Sequence, residues 1–290
     1  MTLRAPFPWF GGKSRAAGLI WDAIGNVPNY VEPFAGSLAV LLARPHAAKT
    51  ETVNDLDCYL ANFWRAVAAD PDAVAAYADW PVNEADLLAR HKWLIAQADF
   101  RERMRTDADH YDAKVAGWWV WGLCQWIGSG WCVTEAAKLP HLGDAGRGVH
   151  DYLHALAARL RRVRVACGDW SRVLGDSVTW RHGVTGIVLD PPYDEDGHSV
   201  RYSAGGGVAA DVAAWAFANG DNRKLRIVLC GYDGDYAAPA GWRVVPWKAK
   251  GGYGSQGDGK GRENARRERL WLSPHCIGAA DLFTSAQGAA

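Results

Sequence analysis

The chain has 290 residues, 49% apolar and 22% charged, and its 32 basic residues balance 32 acidic ones to a formal charge of zero. That length suits one large domain, or a catalytic domain with a sizeable insertion, in a globular protein of ordinary composition. No run of 18 apolar residues marks a membrane span, and Met1 to Phe10 carries one basic residue and no signal-like apolar core, so a cytoplasmic location is expected.

Apolar runs that end in acidic or small residues recur along the chain. Asn29 to Phe34 is predicted as a buried strand, with Ala35-Gly-Ser37 opening a helix through about Arg44. Thr50 to Val53 forms the second strand and stops at Asn54-Asp55. Helical periodicity then predicts helices over Leu60–Ala69, Glu84–Arg105, Asp112–Trp126 and Val149–Leu160, with a loop from Gly128 to Gly148. Val163–Ala166 is a third strand, ending at Gly168-Asp169. Gly186–Leu189 is a fourth, ending at Asp190-Pro-Pro-Tyr193, and Leu225–Leu229 is a fifth. Arg243–Trp247 and Arg269–Leu272 form a terminal hairpin joined by a long loop.

Strands alternating with helices predict an α/β fold built on an open sheet. In such sheets ligands bind beyond the carboxyl ends of the strands. About a hundred residues between the second and third strands exceed what one crossover helix needs. The expected organisation is therefore a catalytic domain from 1–57 and 162–290, with a helical insertion over 58–161.

Three other features bound the reading. Six cysteines without a CxxC pair make a zinc site or a disulfide framework unexpected, and they read as reduced, mostly buried thiols. Sixteen tryptophans, eight of them between Trp64 and Trp131, read as core by default. Eight Lys or Arg between Arg243 and Arg269 face only Asp258, Glu263 and Glu268. That local excess sits in a Gly-rich stretch and suits either phosphate contact or a solvated loop.

Asp190-Pro191-Pro192-Tyr193, directly after an apolar strand, carries the sharpest chemical signal. Two prolines have fixed φ angles and no backbone donor, so they hold a rigid extended turn. The Asp190 carboxylate and a backbone carbonyl remain as acceptors, which suits a planar amino group with two N–H donors. Tyr193 offers a face on which a heteroaromatic ring can stack. In Val31-Glu32-Pro33-Phe34-Ala35-Gly36-Ser37 a strand turns through small residues that admit a ligand to the backbone, and a helix N-terminus there would favour a carboxylate. Gly12-Lys13-Ser14 looks like the end of a P-loop, but position 7 is Phe where that motif needs Gly. Asp55 is placed to accept from ribose hydroxyls, and Asp169 from an adenine amino group; each alone is more often an ordinary turn residue or helix cap.

In order, Trp9-Phe10-Gly11-Gly12-Lys13, Glu32 to Ser37, Asn54-Asp-Leu-Asp57, Gly168-Asp-Trp170 and Asp190 to Tyr193 resemble the Dam-type, D12 class DNA adenine methylases. The resemblance covers most of the chain and is weakest over the helical insertion. It implies a Rossmann-like, S-adenosylmethionine-dependent methyltransferase sheet with a terminal β-hairpin. It implies that Trp9, Phe10, Gly11, Gly12, Lys13, Glu32, Pro33, Phe34, Ala35, Gly36, Ser37, Asp55, Asp169 and Asp190 bind S-adenosylmethionine. Asp190, Pro191, Pro192 and Tyr193 would hold an adenine extruded from double-stranded DNA. Arg201, Tyr202, Lys248, Lys250, Lys260 and Arg262 would touch DNA, and the insertion would help select the target. Neither metal nor membrane is called for, and a monomer or weak dimer is expected. Methylases of this group that read GATC carry a basic residue before the Trp of the first element; here it is Pro8, so that specificity does not carry over. Two alternatives are methylation of the cytosine amino group and a non-catalytic DNA-binding protein of the same fold.

Overall fold

The computed structural model describes residues 3–9, 12–47, 49–107, 109–126, 131–132, 148–192, 207–247 and 266–278. Seven strands form one sheet: β1 (Asn29–Glu32), β2 (Thr50–Asp55), β3 (Val163–Cys167), β4 (Thr185–Leu189), β5 (Leu225–Tyr232), β6 (Arg243–Pro246) and β7 (Glu268–Leu272). Their order is β3-β2-β1-β4-β5-β7-β6. β1 pairs in parallel with β2 on one side and β4 on the other, and β4 pairs in parallel with β5. The winding direction therefore reverses between β1 and β4, which makes their carboxyl ends the topological switch point. β7 runs antiparallel to both β5 and β6. The terminal hairpin thus adds to the parallel sheet through its second strand.

The chain divides into two compact units, one from 1–12 and 54–169, the other from 13–53 and 170–290. The first unit contains β3 and six helices, α3 (Cys58–Ala69), α4 (Pro71–Ala78), α5 (Glu84–Ile95), α6 (Phe100–Thr106), α7 (Ala113–Gln125) and α8 (Val149–Leu160). Local chemistry sets their starts. Asp57 accepts from the amides of Tyr59 and Leu60, Asp70 from Ala73 with Pro71 in the first turn, Asn83 from Ala85 and Asp86, and Asp112 from Val115. The core of this unit is aromatic. Phe7 packs 5.3–5.6 Å from the rings of Phe63, Trp64 and Trp119, and Trp64, Trp119, Trp121, Trp126 and Trp131 are buried. Asn62, fully buried, bonds both the amide and the carbonyl of Asp112 and so ties α3 to the start of α7.

The second unit packs α1 (Ala17–Ile24), α2 (Ala39–Leu42) and α9 (Val208–Asn219) with the remaining strands. α1 buries Ala17, Ile20, Trp21 and Ile24, the spacing of one helical face. β1 and β4 are buried along their whole length, as expected of strands covered on both faces.

Several elements depart from the sequence-based expectation. The first strand ends at Glu32, because Pro33 has no N–H to continue the ladder. The helix expected from Ala35 to Arg44 is only α2, because Gly36 (φ 46°) and Leu38 (φ 58°) take left-handed backbone that a helix cannot include. The helix expected over Glu84–Arg105 breaks after Ile95: buried Leu94 and buried Phe100 lie six residues apart, out of step with one helical face. α1, α4 and α9 were not anticipated, although Asp70-Pro71 and the Ala17–Ile24 spacing announce the first two. The long loop expected within the terminal hairpin lies outside the described residues over 248–265.

Gly186 shows how β4 is seated. A Cβ there would stand 2.3 Å from Cγ2 of Ile24, a buried residue of α1. Gly186→Ala should therefore lower stability by about 1–3 kcal/mol through overpacking, read as a lower midpoint in urea unfolding. An unchanged midpoint would show that α1 and β4 are not in contact.

Candidate active site

In the second unit, Asp190 follows directly on β4. Pro191 is buried and Pro192 half-buried, so the two rings anchor the turn and the aspartate stands at the strand tip. Its side chain is 23% exposed, and its Oδ1 lies 2.8 Å from the Nζ of Lys13, which is 3% exposed. A second carboxylate approaches the same ammonium: Glu268 Oε2, at the start of β7, is 4.0 Å away. The Trp247 ring centre lies 5.7 Å from the ammonium, near enough for a cation–π contact. Burial alone would lower the Lys13 pKa; the charges of Asp190 and Glu268 outweigh it and hold the group above the ordinary lysine value. Cys230, buried in β5 beside this group, is pushed well above the usual thiol range, first by burial and then by the same negative charge.

At the tip of β1, Glu32 is buried and accepts a hydrogen bond of 2.9 Å from the Tyr30 hydroxyl. Burial first, and then the Glu32 charge, raises the Tyr30 pKa well above its usual value. Phe34 is half-buried and stacks near-parallel on Trp170, with ring centres 6.3 Å apart. Ala35, Gly36 and Ser37 are buried. Leu38 holds left-handed backbone, a strain of about 1–3 kcal/mol that native structures concentrate at ligand-binding turns. The helix that follows has only four residues. The anion site expected at its N-terminus is therefore not supported, and the loop itself is the feature of interest. Since β1 and β4 are neighbours in register, Val31 opposite Ile187, Glu32–Ser37 and Asp190 share one edge of this unit.

In the first unit, β2 and β3 are strapped at their tips. Gly168 donates to the Asp55 carbonyl at 3.0 Å, and Asn54 donates to the Gly168 carbonyl at 2.9 Å. Gly168 sits at φ 147°, a conformation that favours glycine. Asp55 is buried, and its Oδ1 accepts from the Asp57 amide at 3.0 Å. Asp169 is exposed. The strap brings Asp55 and Asp169 to adjoining strand tips. Cys167 Sγ lies 3.8 Å from Cys58 Sγ at the same place. The hydrogen bond from Cys167 lowers the Cys58 pKa to about 7 against the effect of burial. At the N-terminus, Trp9 is half-buried on Phe7 with ring centres 5.8 Å apart, and its carbonyl accepts from the Gly12 amide at 3.1 Å. A Cβ on Gly12 would meet that carbonyl at 3.1 Å, so a glycine suits the turn.

The structure thus joins Lys13 and Asp190 directly and sets the 32–37 loop on the same edge of the second unit. It sets Asp55 and Asp169 at adjoining strand tips in the first. Phe10, Gly11 and Tyr193 lie outside the described residues, as do Arg201, Tyr202, Lys248, Lys250, Lys260 and Arg262. Sequence reasoning missed Glu268 and the Cys58–Cys167 pair. An acidic residue at the start of the Leu270-Trp-Leu272 strand was the available signal for the first; nothing in the spacing announces the second. Among the described residues, no helix is long and apolar enough to cross a membrane, and no cluster of His, Cys, Asp or Glu could hold a metal ion.

Removing the cation should expose the balance of charge in the second unit. Lys13→Met leaves two carboxylates without their ammonium, and stability should fall by about 3 kcal/mol at neutral pH, the lower end for a broken buried pair because Asp190 is partly exposed. Loss of that ammonium should raise the folded-state pKa values of both carboxylates, so the penalty is present at high pH and shrinks as they protonate. Urea unfolding at pH 8 and pH 5 should show the gap from the parent protein shrinking at the lower pH. A gap that does not change with pH would refute the electrostatic account.

No curated protein matches the chain. A family model does: that of the D12 class N6 adenine-specific DNA methyltransferases, over residues 9–110. The match takes in Trp9 to Lys13, the 32–37 loop and Asp55, and it ends before Asp169 and Asp190. Over residues 9–110 the chain is thus similar to the D12 class of N6 adenine-specific DNA methyltransferases, and the match supports methylation of the adenine amino group of DNA.

Proposed function

We propose that this chain takes the methyl group from S-adenosylmethionine and that Asp190, with the Pro191 carbonyl, holds the adenine amine that receives it. The observation that carries the reading is Asp190 at the switch-point end of β4, fixed by Lys13 at 2.8 Å and partly open to solvent. A carboxylate and a carbonyl offer two acceptors on one side, the complement of an –NH2 group with two donors. Accepting a hydrogen bond from each N–H draws the nitrogen toward tetrahedral geometry and localises its lone pair for attack. Because the target lies within a duplex, it must be extruded at an expense of a few kcal/mol, which stacking on Tyr193 would offset by about 1–3 kcal/mol. Catalysis then rests on positioning and electrostatics.

The donor set fits the cofactor. S-adenosylmethionine supplies a methyl group on a positively charged sulfur that is already a good leaving group. Among the described residues, the carboxylates of Asp190, Glu268 and Glu32 gather near Lys13 at the switch-point edge, negative groups that suit a sulfonium. The buried small residues 35–37 admit close approach to the backbone, and Trp9 to Lys13 are assigned to the same ligand. Asp55 and Asp169 are assigned to the nucleoside hydroxyls and amino group. We further assign target selection to the helical segment 58–161 and phosphate contact to Arg201, Tyr202, Lys248, Lys250, Lys260 and Arg262. The protein is proposed to act as a monomer or weak dimer on double-stranded DNA in the cytoplasm.

Two experiments test this reading. Asp190→Ala should abolish transfer of labelled methyl groups to adenine-containing duplex DNA, with circular dichroism and the unfolding midpoint nearly unchanged. Retained transfer refutes the role of Asp190, and a product nucleoside other than N6-methyladenine refutes the target. Asp55→Ala should weaken S-adenosylmethionine binding about 10- to 100-fold by calorimetry, the loss of a hydrogen bond to a charged acceptor. An unaltered Kd would confine Asp55 to its turn.

A further inference from the structure

At the end of β3, the Cys167 thiol donates to the Sγ of Cys58, 3.8 Å away in the first turn of α3. The two cysteines stand 109 positions apart in the chain and lie in the same compact unit. Backbone bonds fix their approach. Gly168, next to Cys167, donates to the Asp55 carbonyl, and the Asp57 side chain caps α3 around Cys58 by accepting from Tyr59 and Leu60. All six cysteines are reduced. A disulfide spans 2.03–2.05 Å between its sulfurs, so this pair is short of closing by about 2 Å. The pair also differs in acidity from the other thiols. Burial pushes Cys124 up to about 11 and raises Cys132, Cys230 and Cys276 as well. At Cys58 the hydrogen bond from Cys167, aided by the charges of Arg105 and Arg101, outweighs burial and the Asp57 charge. A thiolate therefore forms most readily here, and the thiolate is the form that peroxides oxidise.

We propose that Cys58 and Cys167 are a modification site for hydrogen peroxide, and that the disulfide they form lowers the affinity of the chain for S-adenosylmethionine. The thiolate of one cysteine attacks a peroxide oxygen and the O–O bond breaks. That sulfur becomes a sulfenic acid, and the released hydroxide takes up the proton the thiol gave and leaves as water. The second sulfur then attacks the first, the S–O bond breaks, and the hydroxide leaves with the second thiol's proton as another water. Two thiols are oxidised to one disulfide, and one peroxide is reduced to two waters. Cys58 is 2% exposed, and the half-buried Cys167 provides the side of entry. Closing the bond draws the ends of β3 and α3 together. α3 is anchored by buried Leu60, Phe63 and Trp64, whereas β3 is half-exposed at the edge of the sheet. The shift therefore falls on β3, and it carries Gly168 and Asp169 out of their register with Asp55. The effect on binding rests on the role given to Asp55 and Asp169 under the proposed function; formation of the disulfide does not.

Peptide mapping and calorimetry test the proposal on the full chain. After hydrogen peroxide, alkylation of the remaining thiols and digestion, mass spectrometry should find the Cys58 and Cys167 peptides joined. The joined species should vanish with dithiothreitol and be absent from Cys167→Ser. Recovery of the two peptides unjoined overturns the proposal. In calorimetry, the Kd for S-adenosylmethionine should rise about tenfold on oxidation, the size of one lost hydrogen bond to the ligand, and return to its first value with dithiothreitol. Cys167→Ser should bind like the reduced parent both before and after peroxide. An unchanged Kd in the disulfide form overturns the effect on binding, as does an equal loss of affinity in oxidised Cys167→Ser, which would place the damage elsewhere. If the reduced parent did not bind S-adenosylmethionine, the proposed function and the effect on binding would fall together, while the peptide map still judged the disulfide.

Discussion

The contact between the Lys13 ammonium and the Asp190 carboxylate is the constraint on which the candidate site depends. A lysine that is 3% exposed is tolerated only with its charge met. Meeting it requires Asp190 to be held at the end of β4 and the chain after Gly12 to be led to that point. The prolines at 191 and 192 contribute the first condition by fixing the turn. The sheet contributes the second, because its parallel strands reverse their winding between β1 and β4 and leave that edge accessible to a ligand. Glu268, from the antiparallel hairpin strand, brings a second carboxylate to 4.0 Å from the same ammonium.

The candidate residues of each unit are held by different physics. In the second unit the determinants are buried ions and a strained loop: Lys13, Asp190 and Glu268 together, and Leu38 in left-handed backbone after Gly36. In the first unit they are backbone hydrogen bonds at strand tips, where Asn54, Asp55 and Gly168 strap β2 to β3 and carry Asp55 and Asp169 with them. Helix caps and an aromatic core organise the remainder of that unit, and its tryptophans are largely packing residues. Trp80, 48% exposed and with its Nε1 donating to Asp86, is the clearest exception.

Much of this was legible in the residues themselves. Apolar runs closed by Asn54-Asp55, Gly168-Asp169 and Asp190-Pro191 announce strand tips, because a carboxylate or glycine is favoured where a buried strand must turn into solvent. The order of short motifs pointed to the D12 class, and the family match over residues 9–110 agrees. Helix lengths were less legible. The break after Ile95 depends on which apolar residues reach the core, and the brevity of α2 depends on two φ angles that composition does not reveal.

The sequence by itself determined the alternation of strands and helices, the helical segment between β2 and β3, and the acidic strand ends, because these follow from periodicity and local turn chemistry. Only the tertiary structure decided that Glu268, 255 positions beyond Lys13 in the chain, shares its charge, and that β7 rather than β6 joins β5. The physical reason is that ion pairing and strand order are set by which distant segments can be buried together. No local pattern encodes that choice; it emerges when the whole sheet closes around its core.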